Sequence, residues 1–158
     1  MSKLYFASPL FSEMEQQYNA QVVANLRQAL PELEIYLPQE AADINDKNAY
    51  ADSKMIAQYD TQEVLASDIV VAVLDGLVID PGVASEIGVA YQAGIPVIGL
   101  YTDVRQQGGQ HPEKLKALQT IAESQFSYIN LYTVGLIKLN GEIVSHSNDL
   151  VEAIKRYL

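Results

Sequence analysis

Cysteine is absent from the 158 residues, and its absence removes a disulfide framework, a thiolate zinc site and a cysteine nucleophile together. Basic residues are scarce: 10 Lys and Arg stand against 20 Asp and Glu, for a formal charge of −10, and no basic cluster forms anywhere along the chain. Neutralising backbone phosphates needs a basic stripe, so a nucleic-acid polymer is excluded as a partner, whereas a neutral small molecule meets no such penalty. No apolar run reaches the roughly 18 residues that span a bilayer. The opening Met1-Ser2-Lys3-Leu4-Tyr5-Phe6 lacks the apolar stretch and small-residue cleavage site of a signal peptide, so no membrane partner and a cytoplasmic location are expected. Histidine occurs twice, at His111 and His146, in segments rich in Gln, Gly, Ser and Asn that read as solvated loops. No metal site is expected, and acid–base chemistry falls to carboxylates and tyrosines.

What is present is an alternation of strand-like and helix-like segments, with no internal repeat and no linker, as for one domain over 1–158. The apolar run 3–7, stopped by Ser8-Pro9, predicts a buried first strand. Met14, Tyr18, Val22, Leu26 and Leu30 recur at helical spacing and predict a helix over 12–30, closed by Pro31. A second strand follows over 34–37. The stretch 39–48 is polar and aperiodic and predicts a loop near the site, and a second helix is expected over 49–66. The continuous β-branched run 68–74 has the pattern of a central parallel strand covered on both faces. Asp80-Pro81 opens the next helix and Gly94 ends it, before a strand at 96–100. The run 102–114 is Gln- and Gly-rich and is expected to be mobile. Beyond it a short helix over 130–137, an extended segment over 139–145 and a last helix over 148–157 complete the chain. The class is α/β: a doubly wound, mostly parallel five-stranded sheet in a flavodoxin- or Rossmann-like three-layer sandwich.

In such sheets ligands bind beyond the carboxyl ends of the strands. After the first strand, Ala7-Ser8-Pro9-Leu10-Phe11 is neither a GxGxxG turn nor a P-loop, so dinucleotides and triphosphates lose their usual cradle, and no bound cofactor is expected. The segment after Leu74 carries more information. On its helix Val83, Glu86, Ile87, Ala90 and Ala93 fall within one arc, which places a carboxylate among residues that face the sheet. Such a carboxylate is costly to desolvate unless hydrogen bonds satisfy it or a pocket opens over it, and helix position alone leaves those two readings level. Asp60 repeats the anomaly between Ile56 and Val64 on the preceding helix. Asp80 is explained first as a helix cap, and Asp68 and Asp75 as structural residues at a strand start and a turn. Tyr5, on a strand that should neighbour the one leading to Glu86, is a core tyrosine by default, yet it is placed to orient that carboxylate.

Together these residues resemble the nucleoside 2-deoxyribosyltransferase family over most of the chain. The resemblance rests on Tyr5-Phe6-Ala7-Ser8-Pro9, on Asp60, on Asp80-x-Gly82-x-x-x-Glu86-Ile87-Gly88, and on Asn130-Leu131 with Gly135. It implies that Glu86 attacks C1′ of a 2′-deoxyribonucleoside to form a deoxyribosyl ester, which a second free nucleobase then takes up, with two inversions as in retaining glycosidases. It implies that Tyr5 positions the nucleophile and that Asp60 protonates or holds the departing base, completing the catalytic set. Asp80 is implied toward the 5′-hydroxyl. Asn130 is implied to reach the sugar of a neighbouring subunit's site, with Tyr132 nearby, so a homo-oligomer with shared sites is expected. Ser8, Leu10 and Gly82 complete the expected substrate-binding set, and Leu10 stands where some members carry an aromatic residue near the base. Two other readings stay open. One is a 2′-deoxynucleoside 5′-monophosphate N-glycosidase, for which Ser8 and Ser85 speak and the Asp80 carboxylate speaks against. The other is a non-catalytic nucleoside- or nucleotide-sensing module on the same scaffold.

Overall fold

The computed structural model describes residues 1–42, 46, 50–124 and 126–158. Five strands, β1 (Lys3–Ala7), β2 (Glu34–Tyr36), β3 (Ile69–Val73), β4 (Val97–Leu100) and β5 (Gly141–Val144), form one sheet in the order β2-β1-β3-β4-β5. Every pairing is parallel, so the mostly parallel sheet expected from the apolar runs is wholly parallel, in the doubly wound flavodoxin order. β3 lies centrally and all five of its residues are buried, as its β-branched composition requires of a strand covered on both faces.

Alternation along the strands divides the core in two. Leu4, Phe6, Val71 and Val73 face one cluster, which receives α1 (Glu13–Ala29) through Val22, Val23 and Leu26, and α6 (Leu150–Lys155) through Leu150, Ala153 and Ile154. Tyr5, Ala7, Val70 and Ala72 face the other cluster. There α2 (Ser53–Leu65) contributes Val64, α3 (Pro81–Gln92) contributes Val83, Ile87 and Ala90, and α5 (Leu131–Leu139) contributes Ile137. The site described below lies on this second face.

Local chemistry sets the helix ends. Ser12 and Glu15 form a reciprocal capping box at the start of α1: Ser12 Oγ accepts from the Glu15 amide at 3.2 Å, and Glu15 Oε2 accepts from the Ser12 amide at 2.7 Å. Asp52 caps α2, so this helix begins later than the expected 49, and position 49 itself lies outside the described residues. So does part of the loop expected over 39–48, whose described start is a 3-10 turn at Pro38–Glu40. Asp68 Oδ2 accepts from the Lys3 amide at 2.8 Å, and Asp75 accepts from the amide and the hydroxyl of Thr102 at 2.7 and 2.6 Å. Both acids therefore tie neighbouring strands together, in keeping with their structural reading.

The run 102–114 carries short elements of its own. It holds a 3-10 turn at Val104–Gln107, capped by Asp103, and the short helix α4 (Pro112–Ala117), whose first turn is capped by His111 Nδ1. Hydrogen bonds from side chain to backbone, such as Gln106 Nε2 to the Tyr101 carbonyl at 2.6 Å, make this structure without any apolar periodicity.

The edge strand β5 depends on a close backbone approach. Gly141 pairs with Val97, and a Cβ at Gly141 would overlap the Val97 carbonyl. Gly141→Ala is expected to destabilise the protein by about 2–3 kcal/mol, the usual cost of forced overpacking, and to lower Tm by several degrees in a thermal melt. An unchanged Tm would contradict this register.

Candidate active site

The first side chain of the site comes from β1. Tyr5 is fully buried, and its hydroxyl donates to Glu86 Oε1 at 2.7 Å. The pairing of β1 with β3 makes this contact possible, because α3 follows β3 and packs over the face that Tyr5 occupies. Among the described residues no hydrogen-bond donor reaches the other oxygen, Oε2.

Glu86 sits at the margin of the buried arc of α3, beside Val83, Ile87 and Ala90, while Ala93, read as part of that arc, is the exposed C-cap. A groove of about 360 Å³ opens over the carboxylate between α2 and α3. Its α2 wall carries Ile56, Asp60 and Val64, the stripe at four-residue spacing read from the sequence, and its α3 wall carries Gly82, Ser85, Glu86 and Val89. The two acids that looked misplaced on apolar stripes thus line one recess. A larger recess of about 780 Å³ lies between Val104 and Phe126. Its Arg105 is held by Asp103 at 2.6 Å and no desolvated carboxylate lines it, so size alone does not make it the reactive site.

Burial pushes the Glu86 carboxyl up to about 7, the hydrogen bond from Tyr5 opposes that rise, and the charges of Asp60 and Asp80 add to it. The Asp60 carboxyl is also raised, first by burial and then by the charge of Glu63. The Tyr5 phenol is driven far above its ordinary value by burial and by the adjacent Glu86, so it stays a neutral donor across the working pH range. Lys3 does not relieve the acids, because its ammonium lies 2.6 Å from Glu63.

Asp80 is the N-cap of α3, with Oδ2 accepting from the amides of Gly82 at 2.9 Å and Val83 at 3.1 Å. Gly82 makes room for this cap: a Cβ there would come within 3.0 Å of Asp80 Oδ2. Ser85 donates its hydroxyl to the Pro81 carbonyl at 2.8 Å. Ser8, just past the end of β1, is buried with its hydroxyl unpartnered, and Leu10 beyond it is half-buried. Asn130 lies outside the groove, capping α5 through Oδ1 to the Thr133 amide at 3.0 Å and lining a small recess with Leu77, Val78 and Tyr128. Tyr132 is 77% exposed and points no hydrogen bond inward. The structure therefore gathers Tyr5, Asp60, Gly82 and Glu86, sets Asp80 at their rim, and leaves Asn130 and Tyr132 apart. Val89 as a groove wall and Tyr36 beneath Tyr5 escaped the sequence reading, since each is placed by a pairing between elements and not by a local pattern. Among the described residues no group of three His, Asp or Glu is arranged to hold a metal ion. No described helix is long and apolar enough to cross a membrane.

The sequence profile described as nucleoside 2-deoxyribosyltransferase matches residues 4–149. The chain belongs to that family. Membership assigns it to chemistry at the glycosidic bond of nucleosides. Among solved structures, a conserved protein from Enterococcus faecalis is 63% identical, with 100% of this chain and 99% of that chain covered and a TM-score of 0.94. A 2-deoxyribosyltransferase from Bacillus psychrosaccharolyticus is 20% identical over 95% of this chain and 90% of that chain, with a TM-score of 0.63. One from Leishmania mexicana is 16% identical over 99% and 97%, with a TM-score of 0.65. At these lower identities the likeness is one of fold. No curated protein sequence matches the chain.

The weakened acidity of Glu86 carries a consequence for stability. A carboxyl that ionises near 4.5 when unfolded and at about 7 when folded contributes stability that is complete below 4.5 and is lost as pH rises through 7. Glu86→Gln, neutral at every pH, is therefore expected to melt above the wild type at pH 8, by at most about 3 kcal/mol, and to lose that advantage near pH 4. A pH-independent difference in thermal melts would refute the desolvation of this carboxyl.

Proposed function

We propose that the chain transfers a 2-deoxyribosyl group between nucleobases, with Glu86 as the nucleophile. The observation that carries this reading is the Tyr5 hydrogen bond to a carboxylate that lines the same groove as Asp60. One oxygen of Glu86 is held by the phenol, which leaves Oε2 to attack C1′. As the new C1′–O bond forms, the C1′–N bond breaks, and the departing base takes the bonding pair together with a proton from Asp60. The incoming base reverses these steps: its nitrogen attacks C1′, the ester oxygen leaves as the Glu86 carboxylate, and the proton returns to Asp60. Both displacements invert, so configuration is retained. Positive charge developing on the sugar is stabilised by the acids around it, and the absent 2′-hydroxyl makes that cation easier to form.

The position of Asp80 disfavours a 5′-monophosphate as substrate. A helix N-terminus is a ready seat for phosphate, but the α3 amides of Gly82 and Val83 are already taken by a carboxylate. A second anion there would meet like charge at close range. The hydroxyl of Ser85 is committed to the helix backbone, which leaves Ser8 as the free hydroxyl in support of the glycosidase reading.

Asn130 stands outside the groove, with Leu77, Val78, Tyr128, Leu131 and Tyr132 exposed around it. We infer that this surface meets a second copy of the chain and lends Asn130 to its site. Light scattering after size exclusion should give the mass of an oligomer; a monomer at micromolar concentration would end this part of the proposal.

Incubation with 2′-deoxyinosine and free adenine or cytosine, followed by chromatography, separates the readings. New deoxynucleoside formed only with the acceptor base is the expected result. Free base alone, most of all from a deoxynucleoside 5′-monophosphate, would instead identify a hydrolase, and no turnover across a full base panel a sensor. Glu86→Ala should abolish exchange while the protein still folds, and wild-type exchange should rise with pH through about 7 as Glu86 ionises. Asp60→Asn should lower kcat more than it weakens sugar binding; equal loss of both would make Asp60 a positioning group only.

A further inference from the structure

One aromatic ring beneath the site takes no part in the chemistry above. Tyr36 closes β2 in register with Tyr5 of β1, so the two side chains leave adjacent strands on the same face of the sheet. Their rings stack with centroids 5.4 Å apart and planes at 26°. Tyr59 of α2 tilts against Tyr36 at 6.3 Å, and the Lys3 ammonium lies 5.6 Å from the Tyr36 centroid while paired with Glu63. A stack of aromatic groups thus runs from the edge of the sheet to the phenol that holds Glu86.

The hydroxyl of Tyr36 is buried and makes no hydrogen bond of good geometry, the side chain of Tyr59 being its polar neighbour. A poorly bonded buried hydroxyl adds little stability, so the useful part of this residue is its ring. Offset stacking fixes the plane of each partner, and a fixed plane is what a hydrogen bond from the far end of Tyr5 requires. An aliphatic side chain of similar size would fill the space and leave the Tyr5 ring free to tilt.

We propose that Tyr36 is a positioning residue, whose ring holds the Tyr5 phenol in line with Oε1 of Glu86. Its kinetic consequence rests on the proposed role of Glu86 as nucleophile; its effect on the Glu86 carboxyl does not. The charged and titratable groups facing Glu86 are Tyr5 from β1, Asp60 from α2 and Asp80 at the head of α3, and those facing Tyr36 are Tyr59, Asp60, Glu63 and Lys3. Of these, Tyr5 favours the ionised carboxylate, and the two aspartates oppose it. Loosening Tyr5 therefore moves the Glu86 titration upward.

The test is a carbon-13 carboxyl titration of Glu86 by NMR in the wild type, Tyr36→Phe, Tyr36→Leu and, as reference, Tyr5→Phe. Tyr36→Phe keeps the stack and should titrate as the wild type does. Tyr36→Leu should shift upward toward Tyr5→Phe, and should lose about tenfold in kcat for base exchange with KM within twofold. Tyr36→Met replaces Leu if the Leu variant does not fold. A Glu86 titration in the folded Leu or Met variant equal to wild type, or a Phe variant displaced as far as Leu, overturns the proposal. So does failure of both aliphatic variants to fold, which would make Tyr36 a core residue alone. If the wild type exchanges no bases, the transferase reading fails, and the titrations still decide the role of Tyr36.

Discussion

The hydrogen bond from Tyr5 to Glu86 is the contact on which the rest of the site depends. A carboxylate on the inner side of a helix loses much of its hydration, and among the described residues one donor reaches it, at 2.7 Å. That partial repayment leaves the group poised near neutral pH, neither the fully ionised surface acid of an ordinary helix nor a permanently neutral one. The same phenol also fixes which oxygen is occupied. A second strong donor would stabilise the carboxylate further and, under the proposed exchange, dull it as a nucleophile.

The scaffold supplies this contact through strand order. With β1 between β2 and β3, Tyr5 lies beneath the helix that leaves β3 and beside the ring that ends β2. α2 and α3 descend side by side over the same face, so an acid from each reaches the groove between them. Tyr5, Asp60 and Glu86 stand on strands and helices, and their mutual placement is set by the packing of the second core cluster. Rigid elements of this kind hold a constellation more closely than loops do.

Much of this was legible in the sequence, for a physical reason. Strands covered on both faces must be continuously apolar, so 3–7, 68–74 and 96–100 announced themselves, and the Asp80-Pro81 start of α3 was written in its capping chemistry. Glu86 and Asp60 were visible because a carboxylate at an apolar helical position is a local contradiction. What stayed hidden depends on partners distant in sequence. Tyr36 looks like any strand tyrosine until the β1–β2 register sets it under Tyr5. The turns between Val104 and Ala117 are held by caps from Asp103 and His111, which leave no periodic trace. The groove itself is a property of two helices together, and no single segment encodes it.

Three acids around one recess would seem to invite self-repulsion, yet each has its negative charge handled differently. Asp80 spends its charge on two helix amides, Asp60 is pushed toward its protonated form by burial, and Glu86 shares its charge with a phenol. Both carboxyls are raised by burial, Glu86 to about 7, and the proposed exchange asks one of them to be ionised while the other holds a proton. The same arrangement favours neutral reactants. An anionic substrate would have to compete with Asp80 for the amides and would face the field of a chain carrying −10, whereas an uncharged nucleoside enters without either cost. Under the proposed exchange, then, the acidity that makes a nucleic-acid polymer an unexpected partner also serves the reaction: it discourages anions from the groove and greets the positive charge that forms on the sugar.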